Sequence, residues 1–95
     1  GATEVITVQL ADGADVDAFM AATQAIGENY VAQVPGFIAR ETAVNEAGEW
    51  MIVVHWSSAE DVAVSMAGFG DAPEAGAFMS FLYAETMAVT VYDIQ

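Results

Sequence analysis

The chain has 95 residues, of which 56% are hydrophobic and only 16% are charged. Its net charge of −13 comes from fourteen carboxylates against a single basic side chain, Arg40. Such a field repels phosphate backbones and anionic lipid surfaces, so we expect neither nucleic acid nor a membrane as a partner. With no cysteine, one histidine and no two carboxylates at ligand spacing, the sequence predicts neither disulfide chemistry nor a metal site.

Size and composition together predict a single domain, residues 1–95, that associates with itself. A domain of this length buries only about 60–65% of the surface of its unfolded chain. Part of the apolar surface is therefore expected to face a partner subunit or an apolar small molecule. No apolar run approaches the roughly 18 residues of a membrane span, and no leader is visible, so we expect a cytoplasmic protein.

An alternating segment, residues 4–10, predicts the first strand, because β-branched residues recur there with a period of two. A helix begins after the capping residue Asp15, and its apolar stripe runs to Val34. The Pro-Gly pair that follows Val34 ends this helix. Gly27, at the edge of the stripe, indicates a close approach of the helix backbone to the sheet.

Residues 37–44 and 49–57 predict the second and third strands, which residues 45–48 join as a hairpin. Both faces of the third strand are apolar, so we expect it at the centre of the sheet and covered on both sides. Overlapping capping signals directly after Trp56 begin the next helix.

The second helical region is interrupted by glycines at 68 and 70, and a short helix restarts at Asp71 with a proline in its first turn. Phe78, Phe81 and Leu82 are expected to face inward from this short helix. The last strand is predicted over residues 86–94, which again alternate.

The register of the hairpin decides which charged side chain lies under the helices. With Val44 opposite Glu49, the face that carries both tryptophans also carries Glu41. Arg40 and His55 then share the opposite face. We expect this register.

The resulting order, β-α-β-β-α-β, predicts an α+β, ferredoxin-like domain with an antiparallel four-stranded sheet. We expect the first and third strands to be central and parallel to each other. The helices cover one face, while the other face of the third strand (Met51, Val53, His55) is too apolar to remain exposed. A second copy that packs sheet against sheet would cover it, so we expect a homodimer.

Several features of the chain match one known family, and they span nearly its whole length. They are Pro35-Gly36-Phe37 entering the second strand, Glu41 on that strand, an apolar third strand ending Trp56-x-Ser58, and Phe78 and Phe81 before the last strand. In these features the sequence resembles the antibiotic biosynthesis monooxygenase family, within the dimeric α/β-barrel group. The resemblance implies a dimeric α/β barrel with an apolar cavity between the sheet and its helices.

Family members that form quinones use neither metal nor flavin, so the resemblance implies a cofactor-free monooxygenase of phenolic substrates. Trp56 matches the family tryptophan position. Active members often carry a polar residue one step back on the same strand face, where this chain has Ile52. Haem-degrading relatives use a histidine on the helix after the third strand; the only histidine here, His55, lies on the strand itself, so we expect no haem and no other cofactor.

We predict a mostly apolar cavity between sheet and helices as the binding site. Its expected lining is Phe19, Tyr30, Phe37, Trp50, Trp56, Phe78 and Phe81, with Glu41 among them. The alternative for these aromatic residues is a plain hydrophobic core.

Glu41 and His55 are the candidate catalytic residues. Glu41 would act as a base with a raised pKa, or else bond to Tyr30 or a tryptophan indole as a structural group. His55 would supply acid/base chemistry, or else lie in the dimer interface. Two functions therefore stay open. Ile52 favours the binding of a lipid-like or polycyclic molecule without chemistry, and the whole-chain resemblance favours oxygenation.

Overall fold

The computed structural model describes residues 1–95, which form four strands, three α-helices and one 3₁₀ turn. In chain order the elements are β1 (Ala2–Leu10), α1 (Val16–Asn29), the 3₁₀ turn (Val31–Gln33), β2 (Phe37–Val44), β3 (Glu49–Trp56), α2 (Ala59–Phe69), α3 (Ala75–Ser80) and β4 (Leu82–Asp93). The predicted ferredoxin-like order, with its second helix divided in two, is confirmed.

The sheet has the strand order β2-β3-β1-β4, and every neighbouring pair is antiparallel. The predicted central position of β1 and β3 is confirmed, but the prediction that they run parallel is wrong. They pair antiparallel from Ala2 opposite Trp56 to Gln9 opposite Glu49. The connections explain this direction, since α1 carries the chain back to a parallel β2 and the hairpin then reverses β3.

The hairpin register differs from the predicted one by one residue, because Val44 pairs with Trp50. Asn45 is itself part of the ladder: its N–H donates to Glu49 O at 3.1 Å, and its Oδ1 accepts from Glu49 N at 2.9 Å. The loop is therefore three residues long and is closed by Gly48 at φ 83°, which favours glycine. Because of this one-residue shift, the side chains of β2 from Val44 back to Ala39 lie on the face opposite to the predicted one.

Helix α1 ends at Asn29, earlier than the predicted Val34, and the chain continues as the 3₁₀ turn. At Tyr30 the backbone leaves helical geometry, with φ −121° and ψ −63°. The Tyr30 ring packs edge-on against Phe69, and its hydroxyl donates to Ser65 O at 2.6 Å. These two contacts join the end of α1 to α2.

Strand β4 begins at Leu82, four residues before the predicted start, so Leu82 is a strand residue and not a helical one. Leu82 and Tyr83 pair with the end of β1, and the register then shifts between Thr7 and Gln9. Within this irregularity, Thr86 Oγ1 accepts from the Gln9 N–H at 2.9 Å. The Thr86 side chain thus replaces a missing backbone hydrogen bond between the two strands. The same irregularity interrupts the alternating pattern in the sequence, so the predicted strand began only at residue 86.

The core lies between the helices and one face of the sheet. On β3 the side chains of Trp50, Ile52, Val54 and Trp56 are all buried against the helices. The alternate residues face away from the helices, and Met51 among them is 38% exposed. We call this second surface, which also carries Val5, Val53, His55 and Tyr92, the open face. No helix of the chain is long and apolar enough to span a membrane.

Candidate functional site

A cavity of about 140 Å³ lies between the sheet and the helices. Nine of its twelve lining residues are hydrophobic. They are Ile6, Val31, Ile52, Val54, Met66, Phe69, Phe78, Met87 and Val89. The three polar residues of the lining are Glu4, Arg40 and Ser65, so an apolar space contains one acid and the only basic side chain of the protein.

Glu4 lies on the helix-covered face of β1 because it has the same parity as Ile6 and Val8. It is only 5% exposed. Its Oε1 accepts a hydrogen bond from the Trp56 indole Nε1 at 3.1 Å. Burial raises the pKa of Glu4 above its ordinary value, while the Trp56 bond and the charge of Arg40 oppose that rise. The carboxylate that bonds to a tryptophan indole is therefore Glu4, where the sequence had suggested Glu41.

Arg40 extends from β2 to α1 and is held there by a single residue. Its Nη1 donates to Thr23 O at 2.8 Å, and its Nη2 donates to Thr23 Oγ1 at 2.9 Å. Gly27 is at a crowded point, but its neighbour is a side chain and not the predicted sheet backbone: a Cβ added there would lie 2.7 Å from Arg40 Nη1. Burial lowers the pKa of Arg40, and Glu4 opposes this. Arginine nevertheless keeps its charge.

Glu4 and Arg40 act on each other through the cavity without direct contact. The only carboxylate oxygen within 4.0 Å of an arginine or histidine nitrogen is Glu41 Oε1, which lies 3.9 Å from His55 Nε2 on the open face. Glu4 is buried and Arg40 is half-buried, and opposite charges that do not touch recover less of their desolvation cost than a bonded pair. The cavity thus has a polar end at which both charges are available.

Of the aromatic residues predicted to line the cavity, Phe78 does so. Trp56 is fully buried beside it and reaches it through Glu4. Phe19 is also fully buried and lies in an aromatic cluster with Trp50, at 5.0 Å between ring centroids. The other members of the predicted lining are Tyr30, Phe37 and Phe81, which are partly buried and pack against the core. Most of these rings therefore form core, and the walls of the cavity are chiefly aliphatic.

Glu41 and His55 lie on the open face, away from the cavity. The predicted placement of Glu41 beside the tryptophans is wrong, because the one-residue register slip turns it outward and turns Arg40 inward. Its side chain is 71% exposed and that of His55 is 42% exposed. His55 Nδ1 lies 3.3 Å from Thr3 Oγ1. The predicted side of the sheet for His55 is confirmed, while the catalytic role of either residue stays a prediction.

Sequence reasoning missed the polar residues of the cavity, and Thr23, which holds Arg40, for three different reasons. Glu4 carries a readable signal, because it continues the alternation that places Ile6 and Val8 inward. Arg40 could be placed only with the correct hairpin register. Thr23 and Ser65 are small polar residues on helices, and neither has a pattern that separates it from ordinary buried positions.

No group of three or more histidine, aspartate or glutamate side chains lies close enough together to hold a metal ion. The polar end of the cavity offers one carboxylate and one guanidinium, and a guanidinium cannot bind a cation. These two side chains can themselves supply hydrogen bonding, charge stabilisation and proton transfer.

Comparison with solved structures shows what this architecture is. SnoaB from Streptomyces nogalater, a cofactor-independent oxygenase, superposes with a TM-score of 0.77 at 16% identity, covering 99% of this chain and 92% of SnoaB. An antibiotic biosynthesis monooxygenase superposes with a TM-score of 0.76 at 11% identity, covering 100% and 99%. A variant of MhuD with two manganese protoporphyrin IX molecules bound per active site gives 0.67 at 15%, covering 99% and 94%.

No protein-family model matches the chain, and no curated protein matches it by sequence. The resemblance predicted from the sequence is confirmed at the level of the fold: over its full length the chain has the ferredoxin-like architecture of the antibiotic biosynthesis monooxygenases.

Replacement of Glu4 tests the electrostatics of the cavity. A raised pKa means that folded Glu4 binds its proton more tightly than in the unfolded chain, where the ordinary value is 4.5. Its contribution to stability is therefore full below that value and is lost as the pH rises through the folded pKa. Glu4→Gln keeps an acceptor for Trp56. Its free energy of unfolding, relative to that of the wild type, should therefore be higher at about pH 8 than at about pH 4.

Chemical denaturation at the two pH values measures this difference. Glu46→Gln is the matched control, because it removes one negative charge from an exposed turn. A Glu4→Gln difference that stays constant with pH, or that moves in favour of the wild type, would contradict the assigned direction.

Proposed function

We propose that the chain binds an apolar small molecule of one or two rings in the cavity between the sheet and the helices. One observation carries this proposal: an apolar space of about 140 Å³ whose lining includes the buried Glu4 and the half-buried Arg40. Apolar walls with a few convergent polar groups are typical of small-molecule sites. Contacts with the aliphatic walls supply the affinity for the ligand, and hydrogen bonds at the polar end fix the orientation of the ligand.

The volume limits the size of the ligand. An apolar cavity of about 150 Å³ holds a benzene molecule, whereas drug-sized ligands occupy about 300–1,000 Å³. A polycyclic ligand would have to displace part of the wall. The side chain best suited to yield is Met66, which is 50% exposed and flexible. The cavity thus favours one- and two-ring molecules over the polycyclic ligands implied by the family resemblance.

Binding of naphthalene and anthracene tests the proposed site. Naphthalene is expected to bind and to change the fluorescence of Trp56, which adjoins the cavity through Glu4, while anthracene should bind more weakly. Val89→Phe should abolish binding because its ring would enter the cavity. Val91→Phe is the matched control on the same strand; Val89 is 38% and Val91 41% exposed, and Val91 does not line the cavity. Equal loss in both variants, or no binding to the wild type, would refute the site.

A second candidate function is oxygenation without a cofactor. It is supported by the likeness to SnoaB and by the buried carboxylate that sequence reasoning had not placed in the cavity. In this function Glu4 takes the proton of a ligand hydroxyl, and the charge of Arg40 stabilises the anion that forms. An electron-rich ring carbon of the anion then bonds to molecular oxygen. Loss of the hydrogen on that carbon and cleavage of the O–O bond leave a quinone carbonyl and hydroxide, which takes the proton back from Glu4 and leaves as water. A raised pKa makes Glu4 a better proton acceptor at neutral pH than an exposed glutamate.

Oxygen uptake with naphthols and hydroxyanthrones, with no metal or flavin added, separates the two functions. If Glu4 is the base, Glu4→Gln should lower turnover by about 10²- to 10⁴-fold while binding persists. Glu41→Gln and His55→Ala are the controls from the open face. Turnover that is lost in those variants and kept in Glu4→Gln would return the catalytic role to Glu41 and His55. Binding of these compounds without oxygen uptake would favour the first function, ligand binding without chemistry, over oxygenation.

We further propose a homodimer in which a second copy covers the open face. The support is the apolar character of this face, where Met51 is 38% and Tyr92 57% exposed in the single chain. Each copy carries a net charge of −13, so repulsion opposes association and added salt should strengthen it.

Met51→Glu is expected to convert the dimer to a monomer of 10.0 kDa, because it places a charge in the centre of the covered face. Met20→Glu is the matched control: Met20 is also 38% exposed but lies on α1. Size-exclusion chromatography with light scattering measures both. A wild type that is monomeric even in high salt, or equal dissociation of both variants, would contradict the proposed interface.

A further inference from the structure

We propose that Glu4, Arg40 and Thr23 form a head-group clamp that selects ligands bearing one neutral hydroxyl and rejects carboxylates. This inference rests on the proposed function, because it takes the cavity to be a ligand site. It adds the chemical class of the ligand and assigns Thr23 as a positioning residue.

Arg40 supplies the donors of the clamp. A guanidinium has five N–H donors in a fixed plane. Nη1 and Nη2 each use one of them on Thr23, and no other hydrogen bond of Arg40 is formed within the protein. The remaining donors belong to a group that lines the cavity and whose orientation is fixed at α1. A ligand oxygen at this end of the cavity would therefore meet a charged, oriented donor.

Glu4 supplies the acceptor. Its Oε1 is engaged by the Trp56 indole, and this is the only side-chain hydrogen bond that Glu4 makes. The second carboxylate oxygen has no partner in the protein, although the residue is only 5% exposed. The only fully buried side-chain oxygen or nitrogen without a partner is Glu74 Oε2, so this oxygen of Glu4 keeps some accessible surface, and a ligand hydroxyl can reach it and donate to it.

The two charges face the cavity without forming an ion pair, which defines what can lie between them. A hydroxyl is both donor and acceptor, so it can donate to Glu4 and accept from Arg40 at once. A carboxylate has only acceptors and would place a second negative charge beside Glu4. A hydrocarbon has neither a donor for Glu4 nor an acceptor for Arg40, so neither group would gain a hydrogen bond from it.

Thr23 acts through Arg40 and not through the ligand. It is only 2% exposed, and its carbonyl and hydroxyl oxygens together hold the guanidinium in one orientation. Thr23→Val removes the hydroxyl and keeps both the shape and the carbonyl. Thr23→Ser keeps the hydroxyl and removes a methyl group, so it serves as the matched control.

Three probes of one shape test the clamp: naphthalene, 2-naphthol and 2-naphthoate, with dissociation constants measured by calorimetry or tryptophan fluorescence. The wild type should bind 2-naphthol at least about tenfold more tightly than naphthalene, since hydrogen bonds to buried charged groups are of that strength. It should bind 2-naphthoate more weakly than 2-naphthol. Glu4→Gln should relieve the discrimination against 2-naphthoate by removing the repelling charge.

In Thr23→Val the preference for 2-naphthol over naphthalene should fall by roughly threefold or more, with naphthalene affinity unchanged, while Thr23→Ser retains it. Naphthalene binding also verifies that each variant is folded. Equal binding of naphthol and naphthalene by the wild type would overturn the clamp, and identical behaviour of the valine and serine variants would overturn the role of Thr23. Failure of all three probes to bind would instead refute the proposed function itself.

Discussion

The hydrogen bond between the Trp56 indole and the Glu4 carboxylate determines how the interior of this protein is built. It links the two central strands at one end of the sheet, at 3.1 Å, and both residues are almost fully buried. Without this bond the carboxylate would be an unsatisfied acidic group in an apolar core, which is among the most destabilising arrangements in a folded protein. The bond also fixes the Trp56 ring, against which Phe37 packs at 5.9 Å between centroids.

A second constraint follows from burying an acid. The only basic side chain of the protein, Arg40, is placed in the same cavity and is held by Thr23 on α1. Their attraction reduces the cost of ionising Glu4 but does not remove it, because burial remains the largest influence on the pKa of each group. The absence of a direct ion pair keeps both charges accessible to a third group. A purely structural salt bridge would close that end of the cavity.

Sequence patterns were sufficient for the architecture, because period-two and period-3.6 alternation is long and uninterrupted in most elements. They also marked Gly27 as a crowded point of the helix, although its neighbour is the Arg40 side chain and not the backbone of the sheet. The site required more. The register of the β2–β3 hairpin depends on whether Asn45 belongs to the turn or to the ladder, and its side-chain bond to Glu49 N decides for the ladder.

Composition and periodicity cannot reveal this one-residue difference. It nevertheless places Arg40 in the cavity and Glu41 on the open face, the reverse of the predicted arrangement. The cavity lining was mispredicted for a related reason. Large aromatic side chains fill space, so they form the core, and a cavity remains where smaller aliphatic and flexible side chains meet.

The overall charge of the protein bears on how a ligand would reach this cavity. With a net charge of −13 and its only basic side chain half-buried in the lining of the cavity, the protein presents a surface dominated by carboxylates. An anion that approaches from solution is repelled by this field, whereas a neutral molecule is not. In the second candidate function, oxygenation, a hydroxyl-bearing ligand would enter neutral and would lose its proton only beside Glu4. The anion then forms where Arg40 is close and the surface carboxylates are further away. Placing the single positive charge inside the protein thus separates the requirement for entry, which favours a neutral molecule, from the requirement for reaction, which favours its anion.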